Sequence, residues 1–412
     1  MVGRPVTRTG DVALIVALIG IVLVGCSSPV VPTASTPTSQ VPTVPPSIQP
    51  TAAPTTATTT APTFPRTGWL REPRKDHSAT LLVDGRVLVA GGAGADHMAM
   101  TSVEMFDPST RTWLPAAPLH APRHSHFAIR LLDGRVLVVG GWSSTTGRYA
   151  PIESAEVLDP ITGVWTEIAG VPGYVLGNGS GILLADGRVV VHGVQYRENG
   201  PVGLLYSFDP ETERWSRLAR VPEARAGPTV SQLQDGRLLV AGGSWPTSEL
   251  PSPTPDAWAY DVAANTWETL PPMHVGHWGH QASSLSNGRV LITGNESGDI
   301  FDPTSGEWSM TAPPASYRLG HQAVTLADGR VLVVGGSGCA SGSPELLVET
   351  YDPGSDTWHD AGWVPHELGL TATALADGRV LIAGGGRSCD DDPGGFGPFA
   401  DAFLINPSTI GR

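Results

Sequence analysis

The stretch Asp84-Gly85-Arg86-Val87-Leu88-Val89-Ala90-Gly91-Gly92 decides the architecture, because the chain repeats it. Asp-Gly-Arg, an apolar run and Gly-Gly begin again at Asp133, Asp235, Asp328 and Asp377. Looser copies begin at Asp186, where Gly193 precedes Val194, and at Asn287, where Gly294 precedes Asn295. Successive copies lie 49, 53, 49, 52, 41 and 49 residues apart, a period that marks a repeat architecture. Asp-Gly or Asn-Gly between apolar strands reads as a two-residue hairpin turn with positive φ at both central positions. The run after it is continuous rather than alternating, so both faces of that strand are buried, as between stacked sheets. Gly-Gly then permits close approach to a neighbour or a bulge.

The second half of each unit is as regular. An aromatic residue or Leu, then Asp and usually Pro, leads six residues on to Trp: Asp107 to Trp113, Asp159 to Trp165, Asp209 to Trp215, Asp261 to Trp267, Asp302 to Trp308 and Asp352 to Trp358. Asp-Pro makes a tight turn, and the Trp brings apolar area to the contact with the next unit. Each unit therefore reads as four short strands. In the last unit the strand through Phe403-Leu404-Ile405 ends at Asn406-Pro407, and the Trp due six residues later falls at Arg412. Arg66-Thr67-Gly68-Trp69 matches the strings before Trp113 and Trp165 and has no first three strands of its own. This predicts that the N-terminal strand completes the last unit, with Trp69 as its Trp, and removes the exposed sheet edges.

With both halves of the motif in place, the chain resembles the kelch-repeat family. The resemblance implies an all-β fold: a seven-bladed kelch-type β-propeller over residues 66–412, with four-stranded antiparallel blades and the last blade closed by the N-terminal strand. Trp-Asp dipeptides at blade ends and Ser-x-Asp-x-Gly boxes, the marks of other propeller families, are missing from the sequence.

Composition agrees. Gly at 50 and Pro at 38 with only 16% charged residues suit a turn-rich β protein. A formal net charge of −14 repels phosphate backbones, so no nucleic acid partner is expected. Arg4 and Arg8 precede an apolar run from Val12 to Val24, which reads as the h-region of a secretory signal and is short for a spanning helix. Leu23-Val24-Gly25-Cys26 resembles a bacterial lipobox, which implies cleavage before Cys26 and its lipidation. The expectation is a signal peptide over 1–25, a Ser/Thr/Pro/Ala-rich disordered stalk over 26–65, and an exported propeller held at the membrane by its lipid.

Propeller geometry sorts the loops. Those after Gly-Gly share a face with the lead-ins to each first strand, and the Asp-Gly-Arg and Asp-Pro turns share the other. The first face carries Trp142, Arg148, Tyr149, Tyr196, Arg197 and Trp245 in loops of varied length. The lead-ins repeat Arg-x-x-His as Arg74 with His77, Arg123 with His126 and Arg318 with His321, with the variant His277 and His280. Converging imidazoles would suit copper or zinc. A residue recurring at one blade position more often makes the same hydrogen bond in each blade, so no metal and no cofactor is expected. Galactose oxidase has a kelch-type propeller with a copper site that uses a Tyr-His pair at the start of a first strand. Here no Tyr precedes His126 or His321, and neither Cys339 nor Cys389 lies in the early blades where that family's crosslinked cysteine belongs. Likeness to the kelch-type sialic acid mutarotases covers fold and compartment. Cys339 and Cys389 occupy matching loops of adjacent blades, which in an exported protein favours a disulfide. The expected function is a monomeric binding protein for a carbohydrate or protein. The alternative is an enzyme acting on a sugar through acid or His residues at the channel mouth.

Overall fold

A computed structural model describes residues 64, 66–145, 148–171, 180–246, 252–294, 297–336, 346–364, 368–386 and 397–410. Cys26, Cys339, Cys389 and nearly all of the signal and stalk segments lie outside the described residues.

Strand pairing yields seven four-stranded antiparallel sheets. Blade 1 consists of Ser78–Leu81, Val87–Ala90, Val103–Asp107 and Thr112–Ala116, hydrogen-bonded in sequence order. Blades 2 to 6 follow over 127–168, 181–220, 229–269, 281–310 and 322–364. Blade 7 takes Thr371–Ala374, Val380–Ala383 and Asp401–Ile405 from the C-terminal region and Arg66–Trp69 from the N-terminal one. The first strand of each blade touches the first strands on either side all the way round, so the ring is closed. Closure covers the apolar blade faces that an open stack of sheets would expose.

The core lies between blades. Val87–Ala90, Val136–Val139, Leu238–Ala241, Val331–Val334 and Val380–Ala383 are buried at every position, as a continuous apolar run requires. Val87, Val89, Phe106 and Trp113 of blade 1, for example, pack with Leu375, Leu381 and Leu404 of blade 7. The Trp of a blade therefore faces the preceding blade. Trp165, Trp215, Trp308 and Trp358 each donate from Nε1 to a carbonyl just after the preceding blade, at Ala117, Ala169, Pro271 and Ala312, over 2.8 to 2.9 Å.

Two expectations are corrected here. The Asp-Gly-Arg hairpin is a three-residue loop in which Gly85 alone has positive φ (85°). Leu82 N donates to Arg86 O and Gly85 N donates back to Leu82 O. This is a type I turn followed by a left-handed glycine. Asp84 accepts the Arg86 N–H on one oxygen (3.0 Å) and Arg86 Nε on the other (2.7 Å), which is why Asp recurs there. In blade 7, Trp69 is not the blade Trp. In the other blades that residue stands opposite the one before the turn Asp, as Trp113 does with Phe106. In blade 7, Arg66 pairs with Phe403 and Trp69 with Asp401, across an irregularity at Gly68 (φ 117°). Continuing that register puts Phe64 opposite Ile405, and Phe64 packs into the cluster containing Phe403 and Ile405. Trp69 is 58% exposed, under the Arg66 guanidinium at 4.7 Å.

Candidate functional site

In blades 1, 2, 5 and 6 the lead-in to the first strand is anchored by a buried pair between a basic side chain and an acid on the third strand. In blade 1 the Arg74 guanidinium donates to Gly91 O (2.8 Å), Ser102 O (3.0 Å) and Glu104 Oε1 (2.8 Å). Glu104, on the third strand, also accepts the backbone N–H groups of Arg71 and Glu72. Blade 2 repeats this atom for atom with Arg123, Gly140, Ser154 and Glu156, which accepts the N–H groups of His120 and Ala121. Blade 6 pairs Arg318 with Glu349 at 2.6 Å. In blade 5 His277 stands in for Arg and meets Asp299 at 3.0 Å, while His274 meets the other oxygen at 2.6 Å. Burial would raise the Asp299 pKa, yet the two imidazole bonds and a backbone N–H hold it below the usual carboxylate range.

The histidine that follows stitches one blade to the one before. His77 Nε2 lies 3.0 Å from Thr371 Oγ1, His126 Nε2 2.8 Å from Ser78 Oγ, and His321 Nε2 2.8 Å from Thr293 Oγ1. His280 Nε2 lies 3.3 Å from Thr229 Oγ1 and donates to Ala241 O at 3.1 Å. Each imidazole sits in its own blade junction and does not share a point with the others. Desolvation lowers His126, His280 and His321 to about 3 and His77 well below the usual value, so all are neutral at physiological pH. The Gly-Gly pairs exist to admit this arrangement. A Cβ on Gly91 would lie 2.5 Å from Arg123 O and 3.0 Å from His126 of the next blade. One on Gly92 would lie 2.9 Å from His77 of its own blade.

Family models place these repeats. The KLHDC2/KLHL20/DRC7 Kelch-repeats domain matches residues 53–243, and the Kelch motif matches 228–274. The chain is a kelch-repeat protein. It is 24% identical over 244 residues to Kelch-like protein terF of Aspergillus terreus, covering 57% of this chain and 52% of that one. It is 26% identical over 253 residues to Kelch-like protein 25 of Xenopus tropicalis, covering 57% and 40%. The kelch chain thus spans about half the length or less of these curated relatives. Two solved structures share its fold. A fungal alcohol oxidase of the AA5 family in complex with copper superposes with a TM-score of 0.65 at 18% identity, covering 84% of this chain and 76% of that one. YjhT superposes with a TM-score of 0.51 at 16% identity, covering 82% and 96%.

On the kelch ring the loops after Gly-Gly do share a face with the lead-ins, because backbone bridges join them: Lys75 to Ala93, His124 to Trp142, Ala226 to Ser244 and Leu368 to Gly386. Arg74, Arg123, Arg318, His77, His277, His280 and His321 are buried beneath that face, and His126 is partly buried. The exposed members are Tyr149 (44%), Tyr196 (50%) and Trp245 (43%), with Arg197 also exposed and Trp142 half-buried. They come from blades 2, 3 and 4. Tyr149 sits on an extra hairpin, Trp142–Thr145 with Arg148–Pro151, and Tyr196 and Arg197 on the extended strand Val189–Arg197. The Arg148 side chain lies outside the described residues.

Sequence reasoning missed several residues. The acids Glu104, Glu156, Asp299 and Glu349 each stand three residues before the turn Asp of their strand, and an acid inside a buried strand is a signal in itself. Arg225 was missed because Pro228, not His, follows it. Asp76 was missed because its position is otherwise glycine: Asp76 (φ 56°) and Ser125 (φ 52°) occupy the left-handed turn that Gly227, Gly279, Gly320 and Gly369 fill in other blades. Turn bonds run between blades here, from Ser125 N to Asp76 O and from Asp76 N to Gly369 O, both 2.8 Å. Burial pushes the Asp76 carboxyl up against the opposing pull of Lys75 and His124. On the opposite face a cleft of about 380 Å³ opens between blades 3 and 4, lined by Arg188, Arg237, Leu184 and Val262. At three other junctions the equivalent arginine crosses to the next blade, as Arg135 does to Pro210 O (2.7 Å), Arg330 to Pro407 O (3.0 Å) and Arg379 to Pro108 O (3.2 Å), whereas Arg188 bonds Asp186 of its own turn (2.7 Å).

Proposed function

We propose that this kelch propeller is an exported, lipid-anchored, monomeric binding protein that recognises a carbohydrate or protein through the Gly-Gly loop face. The observation that carries the reading is the set of half-exposed aromatics Tyr149, Tyr196 and Trp245 on adjacent blades, presented by a closed ring. Aromatics on a rigid frame supply contact area at low entropic cost. The lipobox-like Leu23-Val24-Gly25-Cys26 and the Pro-rich segment after it support the anchor and the export. The test is binding by the full chain to an array of glycans and to extracellular proteins. Substituting Tyr149, Tyr196 and Trp245 together by Ala should abolish capture, while Ile161→Ala on the other face, 94% exposed, should not. Capture that follows Ile161 instead would overturn the reading. Mass spectrometry of the mature N-terminus should find a diacylated Cys26.

A second reading, an enzyme acting on a sugar, draws on Asp76 and His124. A non-glycine residue held at φ 56° is strained, and strain of this kind concentrates at functional sites. His124 Nε2 is buried without a hydrogen-bond partner among the described residues, while Nδ1 lies 3.1 Å from Ser125 Oγ. A carboxyl with a raised pKa beside a neutral imidazole is able to give and take a proton. Asp76→Asn should abolish turnover of a bound sugar and leave its affinity in place. Turnover that survives the substitution would rule Asp76 out.

A further inference from the structure

Blade 4 breaks the buried ion-pair rule, and the break builds a surface. In blades 1, 2 and 6 the guanidinium meets a glutamate on the third strand, with both side chains at most 3% exposed. In blade 4 that third-strand position holds Trp258, so Arg225, itself fully buried, has no acid beneath it. Its Nη2 reaches outward instead to Glu223 Oε2 and to Asp256 Oδ2 (2.6 Å), whose side chains are 49% and 42% exposed. Nε donates to Thr254 Oγ1 at 3.1 Å and Nη1 to Ala224 O at 3.0 Å. The guanidinium lies over two indoles, 3.8 Å from the Trp245 centroid and 5.5 Å from that of Trp258. Trp258 is buried and Trp245 is 43% exposed. The backbone before Trp245 is fixed as well, since Ser244 bridges to Ala226 and to Pro253.

One buried cation therefore holds an indole and two carboxylates together at the surface, and the ion pairs to it engage one oxygen of each carboxylate. We propose that Trp245, Glu223 and Asp256 form a saccharide subsite for a neutral pyranose, whose apolar face rests on the indole while its hydroxyls donate to the carboxylates. This rests on the reading of the loop face as a binding surface, and names its ligand class. A cationic ligand fits less well, because Arg225 already draws on the π density of that ring and balances one of the two negative charges. An anionic ligand meets two carboxylates. A neutral polyol has both things the site offers partners for, C–H groups for the ring and O–H donors for the acids. Because the ring is locked before binding, little rotamer freedom is lost on contact.

The test uses the full chain and isothermal titration with cellohexaose, xylohexaose, mannohexaose and laminarihexaose, with polygalacturonate and chitosan oligomers as the anionic and cationic comparisons. At least one neutral hexaose should bind. Trp245→Ala should weaken it by about tenfold or more, and Trp245→Phe should recover most of the loss. Glu223→Gln and Asp256→Asn should each weaken it by roughly three- to tenfold, the loss expected when an amide oxygen replaces the charged acceptor and a neutral hydrogen bond remains. Variants are compared only where the melting temperature is that of the parent chain, and Glu223→Gln, half-exposed and isosteric, serves if Trp245→Ala unfolds. Neutral saccharide binding that these substitutions leave unchanged would overturn the subsite while the loop-face reading stands. Binding only to chitosan oligomers or polygalacturonate, or to none of the probes, would overturn the neutral-saccharide assignment. Capture of a protein that Tyr149 and Tyr196 control would then keep the wider reading alive.

Discussion

His126 Nε2 and Ser78 Oγ lie 2.8 Å apart across the junction of blades 1 and 2, and the imidazole that makes this bond is neutral. The same contact recurs at His77, His280 and His321, so a large part of the ring's stitching depends on histidines that burial keeps uncharged. For a group whose folded pKa is depressed, the unfolded chain binds more protons between the two pKa values. Stability is then complete above about 6.5 and falls as pH drops toward the folded value of about 3. The melting temperature should hold from pH 8 to 7 and decline steadily from 6.5 to 4.5, above the range where most carboxylates titrate. His126→Gln, which keeps an amide able to meet Ser78, should flatten that slope. An unchanged slope would mean that the buried imidazoles do not control acid stability.

Gly91 and Gly85 both have positive φ, at 61° and 85°, but only Gly91 is crowded. Gly85→Ala carries conformational strain alone, about 1 kcal/mol. Gly91→Ala adds a Cβ 2.5 Å from Arg123 O, and should cost upwards of roughly 3 kcal/mol. Urea unfolding of the two variants should rank them in that order.

Glu104 and Glu156 each neutralise a fully buried guanidinium. Glu156→Gln removes the charge and keeps the shape, leaving Arg123 with no other ion pair among the described residues, and should destabilise by about 3–5 kcal/mol. The matching variant in blade 4, Asp256→Asn, should cost far less, because Arg225 retains Glu223 and the site is open to water.

Asp76→Gly places the residue type found in four other blades at a left-handed turn. The folded chain should gain roughly 0.5–1 kcal/mol as the strain is relieved. A fall in melting temperature would show that the Asp76 carboxyl holds the turn rather than burdening it.

The register of the closing strand is tested by two aromatics. Phe64 packs in the junction and Trp69 is 58% exposed, so Phe64→Ala should cost about 2 kcal/mol and Trp69→Ala under about 1 kcal/mol. The reverse order would restore Trp69 to the blade-Trp position.

Blade count, ring closure and the existence of two distinct faces were legible because they depend on local, repeated chemistry. Asp-Gly punctuates strands, an unbroken Val/Leu run signals burial on both faces, and a spare strand at one end answers a missing one at the other. The hairpin was misread in detail, since a three-residue loop and a two-residue loop carry the same Asp-Gly and differ in which residue pairs with Arg86, here Leu82 rather than Val83. The closing register was misread because Arg66-Thr67-Gly68-Trp69 imitates the strings before Trp113 and Trp165, and a glycine bulge at Gly68 shifts it.

The sequence by itself determined a closed seven-bladed ring, since its repeat period and strand patterning leave no other way to bury so many short apolar runs. Tertiary structure alone decided which of the recurrent polar residues belong to the frame and which face solvent. Arg74 and Arg225 share one place in the repeat, yet Arg74 meets Glu104 in the blade interior and Arg225 finds Trp258 there and turns outward to Glu223 and Asp256. That difference depends on a partner some 30 residues away on another strand, and its physical reason is that a buried guanidinium must find a counter-charge wherever the fold puts one.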